Sequence, residues 1–204
     1  MVSRSSKERV APAVRADKRR ALLDSALALF VVHGVVETRL DELLQRSGVS
    51  VGSLYHHFGG KEELADALYL ECLGAYHDSA RHSLAIVATP EAGVRALVEH
   101  HVTWTASHLL EAKYLITYRD HEVRPASLHV RTMNRAFYTE LEQWIALRSK
   151  VDPPQLPMIV AQWIGPSRNF SRHWLTNDTA VGPRDAAKFF SDAAWVSLAP
   201  LFPR

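Results

Sequence analysis

From Asp17 onward apolar residues recur at three- and four-residue spacing. Leu22, Leu23, Ala26, Leu27, Phe30 and Val31 form one stripe, which predicts a first helix over about 17–33 stopped at Gly34. Residues 1–16 mix Ser, Arg, Lys and Pro without a period and read as a mobile basic arm. Thr38 and Asp41 have the spacing of a capping box, with Asp in place of Glu, and Leu40, Leu43 and Leu44 follow. That predicts a short second helix ending near Ser47. Gly48-Val49-Ser50 interrupts it, and Ser50 can cap a third short helix carrying Val51, Leu54, Tyr55 and Phe58, closed by Gly59-Gly60. A long helix over about 61–84 comes next, with Leu64, Leu68 and Ala75 facing inward.

Beyond it, every segment long enough to judge has a helical period. Breaks fall near Thr89-Pro90, Arg124-Pro125, Asp152-Pro153-Pro154 and Gly182-Pro183. The predicted helices cover 91–110, 112–119, 125–148, 155–175 and 184–198. Gly165-Pro166 predicts a kink in the segment 155–175. Strand pairs with hairpin chemistry are missing from the pattern, so the expected fold is all-α with about nine helices.

Composition narrows this little. The chain has 204 residues, 47% of them apolar and 23% charged, long enough to bury a core without a disulfide or metal. Its single cysteine, Cys72, reads as a small buried hydrophobe in a reducing compartment. The longest apolar run, 26–32, is too short to span a bilayer and wrongly placed for a signal peptide, so a cytoplasmic location is expected. Charge is more informative. The net value is only +2, but the part through Lys61 carries +4 and the remainder −2. A basic front suits a polyanionic partner.

Two short helices around Gly48 have the helix-turn-helix pattern: the glycine permits the sharp turn, and Leu44 and Leu54 can pack the pair. The second helix is left with Ser50, Gly52, Ser53, His56 and His57 outward, short groups suited to base edges and phosphate oxygens. Its wording is specific. Phe30 and Gly34, then the unbroken Gly48 to Phe58 segment and Lys61-Glu62-Glu63-Leu64, resemble the N-terminal signature of the TetR family of transcriptional regulators over about 20–68. The resemblance implies a homodimeric regulator whose N-terminal helices bind a palindromic operator in double-stranded DNA. It also implies a C-terminal helical bundle that binds a small-molecule effector and forms the dimer.

Carried over position by position, the resemblance puts Ser50, Gly52 and Ser53 at the groove, Tyr55 and His56 at phosphates and His57 near the DNA. Lys61 then anchors the start of the fourth helix on the DNA backbone. Thr38 and Arg39 complete the DNA-binding set, Arg39 standing where the family usually has a second threonine. Two further departures are Leu44 in place of a small alanine, which bears on the packing of the second and third helices, and Gly60 in place of a polar cap. The domains expected are an arm over 1–16, a DNA-binding domain over 17–62 and an effector-binding and dimerisation domain over 63–204.

All five tryptophans lie beyond the DNA-binding segment. Trp104 and His108 share a helix face, Tyr114, Tyr118, Arg119 and His121 add polar groups nearby, and Trp163 and Phe170 flank the expected kink. These eight are the candidate ligand-binding residues. Phe189, Ala193 and Val196 form a small-and-large stripe on the last helix, the candidate dimer seam. Eleven histidines raise a metal hypothesis, but His100 and His108 stand ~12 Å apart along a helix and no metal-ligand spacing occurs, so no metal and no cofactor are expected. Nucleophile-elbow, phosphate-loop and dinucleotide-binding patterns are absent, and Glu62-Glu63 reads as a solvated helix start. The reading is a ligand-responsive repressor, not an enzyme. Its rival is an all-α small-molecule binding or catalytic bundle in which the helix-turn-helix is incidental.

Overall fold

The computed structural model describes the backbone of residues 12–121, 128–177 and 180–203, and within these the side chains from residue 16 on, except 119–121. Nine α-helices and no strands occur among the described residues. They fall into two compact units, Met1–Tyr69 and Leu70–Arg204, divided within the fourth helix rather than after residue 62.

In the first unit, α1 (Pro12–Glu37) begins four residues before the end of the expected arm. A proline in the first helical position has no N–H to leave unsatisfied, and its fixed φ already suits the helix. Gly34, with φ 79° and ψ 164°, interrupts α1 where the stop was expected. The helices α2 (Leu40–Ser47) and α3 (Val51–His57) pack against α1, and α4 (Lys61–Ala85) leads out of the unit. Leu22, Leu23, Ala26, Leu43, Leu54 and Leu64 are fully buried. Burial of each leucine contributes about 2 kcal/mol. The buried position of α2 is Leu43, whereas Leu44 is only partly covered, so the bulk of Leu44 sits at the edge of the core.

The second unit contains α5 (Pro90–Ser107), α6 (Leu109–His121), α7 (Leu128–Ala146), α8 (Leu156–Thr176) and α9 (Pro183–Leu198), with single 3-10 turns at Pro153–Gln155 and Ala199–Leu201. Its α5 ends earlier than residue 110, and α6 starts earlier than 112. His108 leaves the helical region (φ −125°, ψ 57°), its N–H bonds to the Trp104 carbonyl, and its ring stacks on Trp104 at 4.7 Å. The apolar pair Leu109 and Leu110, which prolonged the sequence pattern, is exposed and opens α6 instead.

The long α8 continues across Gly165-Pro166, so the expected kink does not divide it. The carbonyl that Pro166 leaves without a partner belongs to Gln162. Both residues are exposed, so water can take that bond. Trp163 and Trp144 form the centre of this unit's core, their rings 5.1 Å apart, among Val94, Leu97, Leu141 and Val160. The approach of α7 to α5 depends on Gly93: a β-carbon there would stand 2.1 Å from Trp144 Cζ2.

Candidate functional site

In the first unit the site is built from the turn upward. Gly48 adopts φ 65°, a left-handed conformation that costs an L side chain roughly 1–2 kcal/mol, and its N–H closes α2 on the Leu44 carbonyl at 3.0 Å. Ser50 then caps α3, its Oγ accepting the Ser53 N–H at 3.3 Å. Leu54 anchors α3 from below. The opposite face carries Ser50, Gly52, Tyr55 and His56 exposed, with Ser53 and His57 partly covered. A β-carbon at Gly52 would meet nothing within 4 Å. The fold does not require that glycine, and its backbone is open to close approach from outside.

Around this helix the cations differ from their sequence reading. Arg39 is exposed but pairs with Asp41 through Nε at 3.1 Å and Nη2 at 2.7 Å, which raises the Arg39 pKa and lowers that of Asp41. Lys61 Nζ donates to the Val36 and Thr38 carbonyls at 3.0 and 2.9 Å. An ammonium has three N–H donors, and these bonds use two. Arg19 of α1, which charge counting alone did not single out, lies over the Phe58 ring at 5.5 Å, next to the end of α3.

Thr38 requires a correction. It is buried, its Oγ donates to the Gly34 carbonyl at 2.6 Å, and no side chain caps α2, which takes Arg39 as its N-cap residue. The capping box with Asp41 does not form, and the Thr38 hydroxyl holds the α1–α2 corner instead of facing a groove.

Two pairs of the candidate ligand residues of the second unit are in ring contact. Trp104 is buried and stacks on the exposed His108, and Tyr114, also buried, lies 5.2 Å from Tyr118. Phe170 packs on Phe190 at 5.3 Å in a separate cluster with Val102 and Ala186. Trp163 is core: only 1% exposed, it donates its indole N–H to the Val94 carbonyl at 2.9 Å. The side chains of Arg119 and His121 lie outside the described residues. An open groove of about 480 Å³ between α5 and α9, bordered by Glu99, Thr103, Arg184 and Lys188, contains none of the eight.

What the sequence reading missed is a buried polar group on α4 and α5. Tyr76 has its ring within 6 Å of those of His77, His100, His101 and Trp104. Burial pushes His77 and His100 down to about 4 and His101 to about 3. The Arg81 charge adds to the shift of His77, His108 to that of His100, and Arg168 to that of His101. Burial likewise raises Tyr76. Spacing could have found His77 and His100 only if the pairing of α4 with α5 were already known.

On α9, Phe189, Ala193 and Val196 are all exposed along one stripe, while Ala186, Ala187, Ser191, Ala194 and Leu198 face inward. Among the described residues no three His, Cys, Asp or Glu side chains are grouped to hold a metal ion, and no helix is long and apolar enough to cross a membrane.

Residues 22–68 match the family model described as bacterial regulatory proteins, tetR family. The HTH-type transcriptional regulator TtgW of Pseudomonas putida is 36% identical over 78 residues, which cover 38% of this chain and 52% of that protein. The chain thus spans about half of that relative. The HTH-type transcriptional activator FasR of Mycolicibacterium smegmatis is 26% identical over 185 residues, 90% of this chain and 84% of that one. In fold, the crystal structure of the regulator FadR from Bacillus subtilis in complex with stearoyl-CoA is similar, with a TM-score of 0.69 at 15% identity over 86% of this chain and 96% of that one.

Proposed function

Because the chain belongs, through residues 22–68, to the tetR family of bacterial regulatory proteins, we propose that it is a ligand-responsive transcriptional repressor. It binds a palindromic operator as a cytoplasmic homodimer and leaves it when a small molecule occupies the second unit. The observation that carries this is the exposed polar face of α3, set by the Gly48 turn and the Ser50 cap within the matched segment. Ser50, Gly52 and Ser53 read base edges; Tyr55, His56 and Arg39 contact phosphates, with His57 beside them. Lys61 uses its remaining N–H on the DNA backbone while holding the corner at Thr38. For Arg39 a phosphate competes with Asp41, an exchange between exposed partners.

The second unit binds the effector and forms the dimer, with Phe189, Ala193 and Val196 as the apolar seam covered by the second copy. Effector binding favours a conformation in which the two α3 helices no longer match successive major grooves, ~34 Å apart. A second reading, activation, is favoured by one finding: FasR, which matches over most of this chain, is named an activator. Both readings share the DNA-binding face, and neither assigns catalysis.

The test is selection of duplexes by the purified protein from a random DNA pool at near-physiological salt. One palindromic motif is expected. Failure of the folded, ligand-free protein to enrich any sequence would overturn the proposal and return the chain to the binding-bundle reading. Transcription from a promoter carrying the motif then separates the two signs: a fall on adding protein supports repression and a rise supports activation.

A further inference from the structure

The polar group around Tyr76 is unusual in what it leaves unbonded. His77 Nδ1, His100 Nδ1 and His101 Nε2 are all buried and, among the described residues, have no hydrogen-bond partner. Leaving such an atom unsatisfied costs roughly 1–3 kcal/mol, so three on two neighbouring helices is a large burden for a structural core.

The bonds that are made assign the protons. Ser79 has one hydroxyl proton, and its Oγ donates toward the Ala75 and Tyr76 carbonyls at 3.0 Å. With that proton on a backbone carbonyl, the oxygen accepts from His100 Nε2, 2.9 Å away, and we assign the proton of the neutral ring to Nε2. The unpartnered His100 Nδ1 is then a lone pair. Tyr76 Oη lies 2.9 Å from His101 Nδ1. If the tyrosine donates, only the His101 Nε2–H is left over, whereas the reverse arrangement would strand both the phenol proton and a ring lone pair. The favoured arrangement leaves one acceptor, on His100, and one donor, on His101, with both rings within 6 Å of the Tyr76 ring. The surroundings are apolar and aromatic: Trp104 lies at 5.1 Å and Phe137 at 6.3 Å from Tyr76.

The rings are neutral at pH 7, and Arg168, exposed on α8, donates to the Tyr138 hydroxyl while its charge also reaches Tyr76 and His101. A carboxylate has no proton to offer the His100 lone pair, whereas a hydroxyl can both donate and accept. Resting on the reading of the second unit as the effector unit, we propose that Tyr76, His100 and His101 form the polar end of its ligand site. The site takes an uncharged hydroxylated molecule with an apolar body. A ligand O–H meets the His100 lone pair, a ligand oxygen accepts from His101, and the apolar part lies against Trp104 and Phe137.

The experiment uses the full chain with ¹⁵N-labelled histidine and three probes of similar size: phenol, toluene and benzoate. Before any probe is added, ring-nitrogen shifts should show His100 and His101 neutral, both protonated at Nε2. Phenol should move the His100 and His101 signals, while toluene and benzoate leave them in place. His100→Phe should weaken phenol binding at least about tenfold without altering the response to toluene. A His100 protonated at Nδ1, an equal response to toluene, a larger one to benzoate, or no response to phenol would each overturn the proposal. Affinity for the selected duplex, measured in the same samples, separates this from the broader reading. Shifted rings with unchanged duplex affinity would support the site and count against regulation by it; duplex binding with unmoved rings would overturn the site and leave the DNA-binding reading standing.

Discussion

In the first unit Ser50, Gly52, Tyr55 and His56 stand exposed above a buried Leu54. In the second, His77, Thr105, Ser167, Ser171 and Ser191 are themselves buried among aromatic rings and aliphatic side chains. The first arrangement keeps its polar groups hydrated until a partner arrives and asks little of the core. The second must satisfy its polar groups internally, and at His77, His100 and His101 it does so only in part. An exposed polar face and an interior with a few unpaired atoms differ in their vulnerability to mutation and acid.

Acid should separate the units most strongly. An unfolded histidine takes up its proton near pH 6.5, while His77 and His100 do so near 4 and His101 near 3 in the folded chain. Between these values the unfolded chain binds more protons, so stability is lost as pH falls through 6.5, each histidine removing up to about 1.4 kcal/mol per pH unit. All five tryptophans lie beyond Tyr69, so urea unfolding followed by their fluorescence reports the second unit. A midpoint unchanged between pH 6.5 and 4.5 would mean that these rings are not buried and neutral.

Trp163→Ala removes the centre of the same core and the bond to the Val94 carbonyl, with an expected cost of about 4 kcal/mol. The four remaining tryptophans keep the readout, and a loss under 1 kcal/mol would mean that Trp163 is not a core residue. Gly48→Val acts on the other unit, forcing a β-branched residue into a left-handed turn at about 2 kcal/mol and disordering the mount of α3. Duplex binding should disappear while tryptophan-monitored unfolding stays as in the parent chain. Arg39→Ala should lower the slope of log affinity against log salt by about one unit, the signature of one lost cation–phosphate contact. An unchanged slope would remove Arg39 from the DNA backbone. The smallest effect is the sharpest: Gly52→Ala has room for its methyl group and should stabilise α3 by about 0.5–1 kcal/mol, yet weaken duplex binding by blocking close approach. Improved stability with unimpaired binding would show that α3 does not lie tightly against a groove.

Local rules suffice for much of this chain. The all-helical class, the Gly34 and Gly48 stops, the Ser50 cap and the outward face of α3 depend on residues within a turn or two of one another, where dihedral preference and side-chain reach suffice. Tertiary structure decided the rest. Thr38 reads as a cap until its hydroxyl turns to Gly34, and the spacing gives no sign that Lys61 also donates two of its N–H groups to the corner of α1 and α2. Trp104 and Trp163 look alike along the chain, but one meets Tyr76 and His108 while the other bonds a carbonyl 69 residues away. The proton assignments of His100 and His101 depend on Ser79 and Tyr76, 21 and 25 residues distant. A single chain pattern carries no signal for such pairings, because they exist only once packing has brought α4 and α5 face to face and excluded the water that would otherwise satisfy each group.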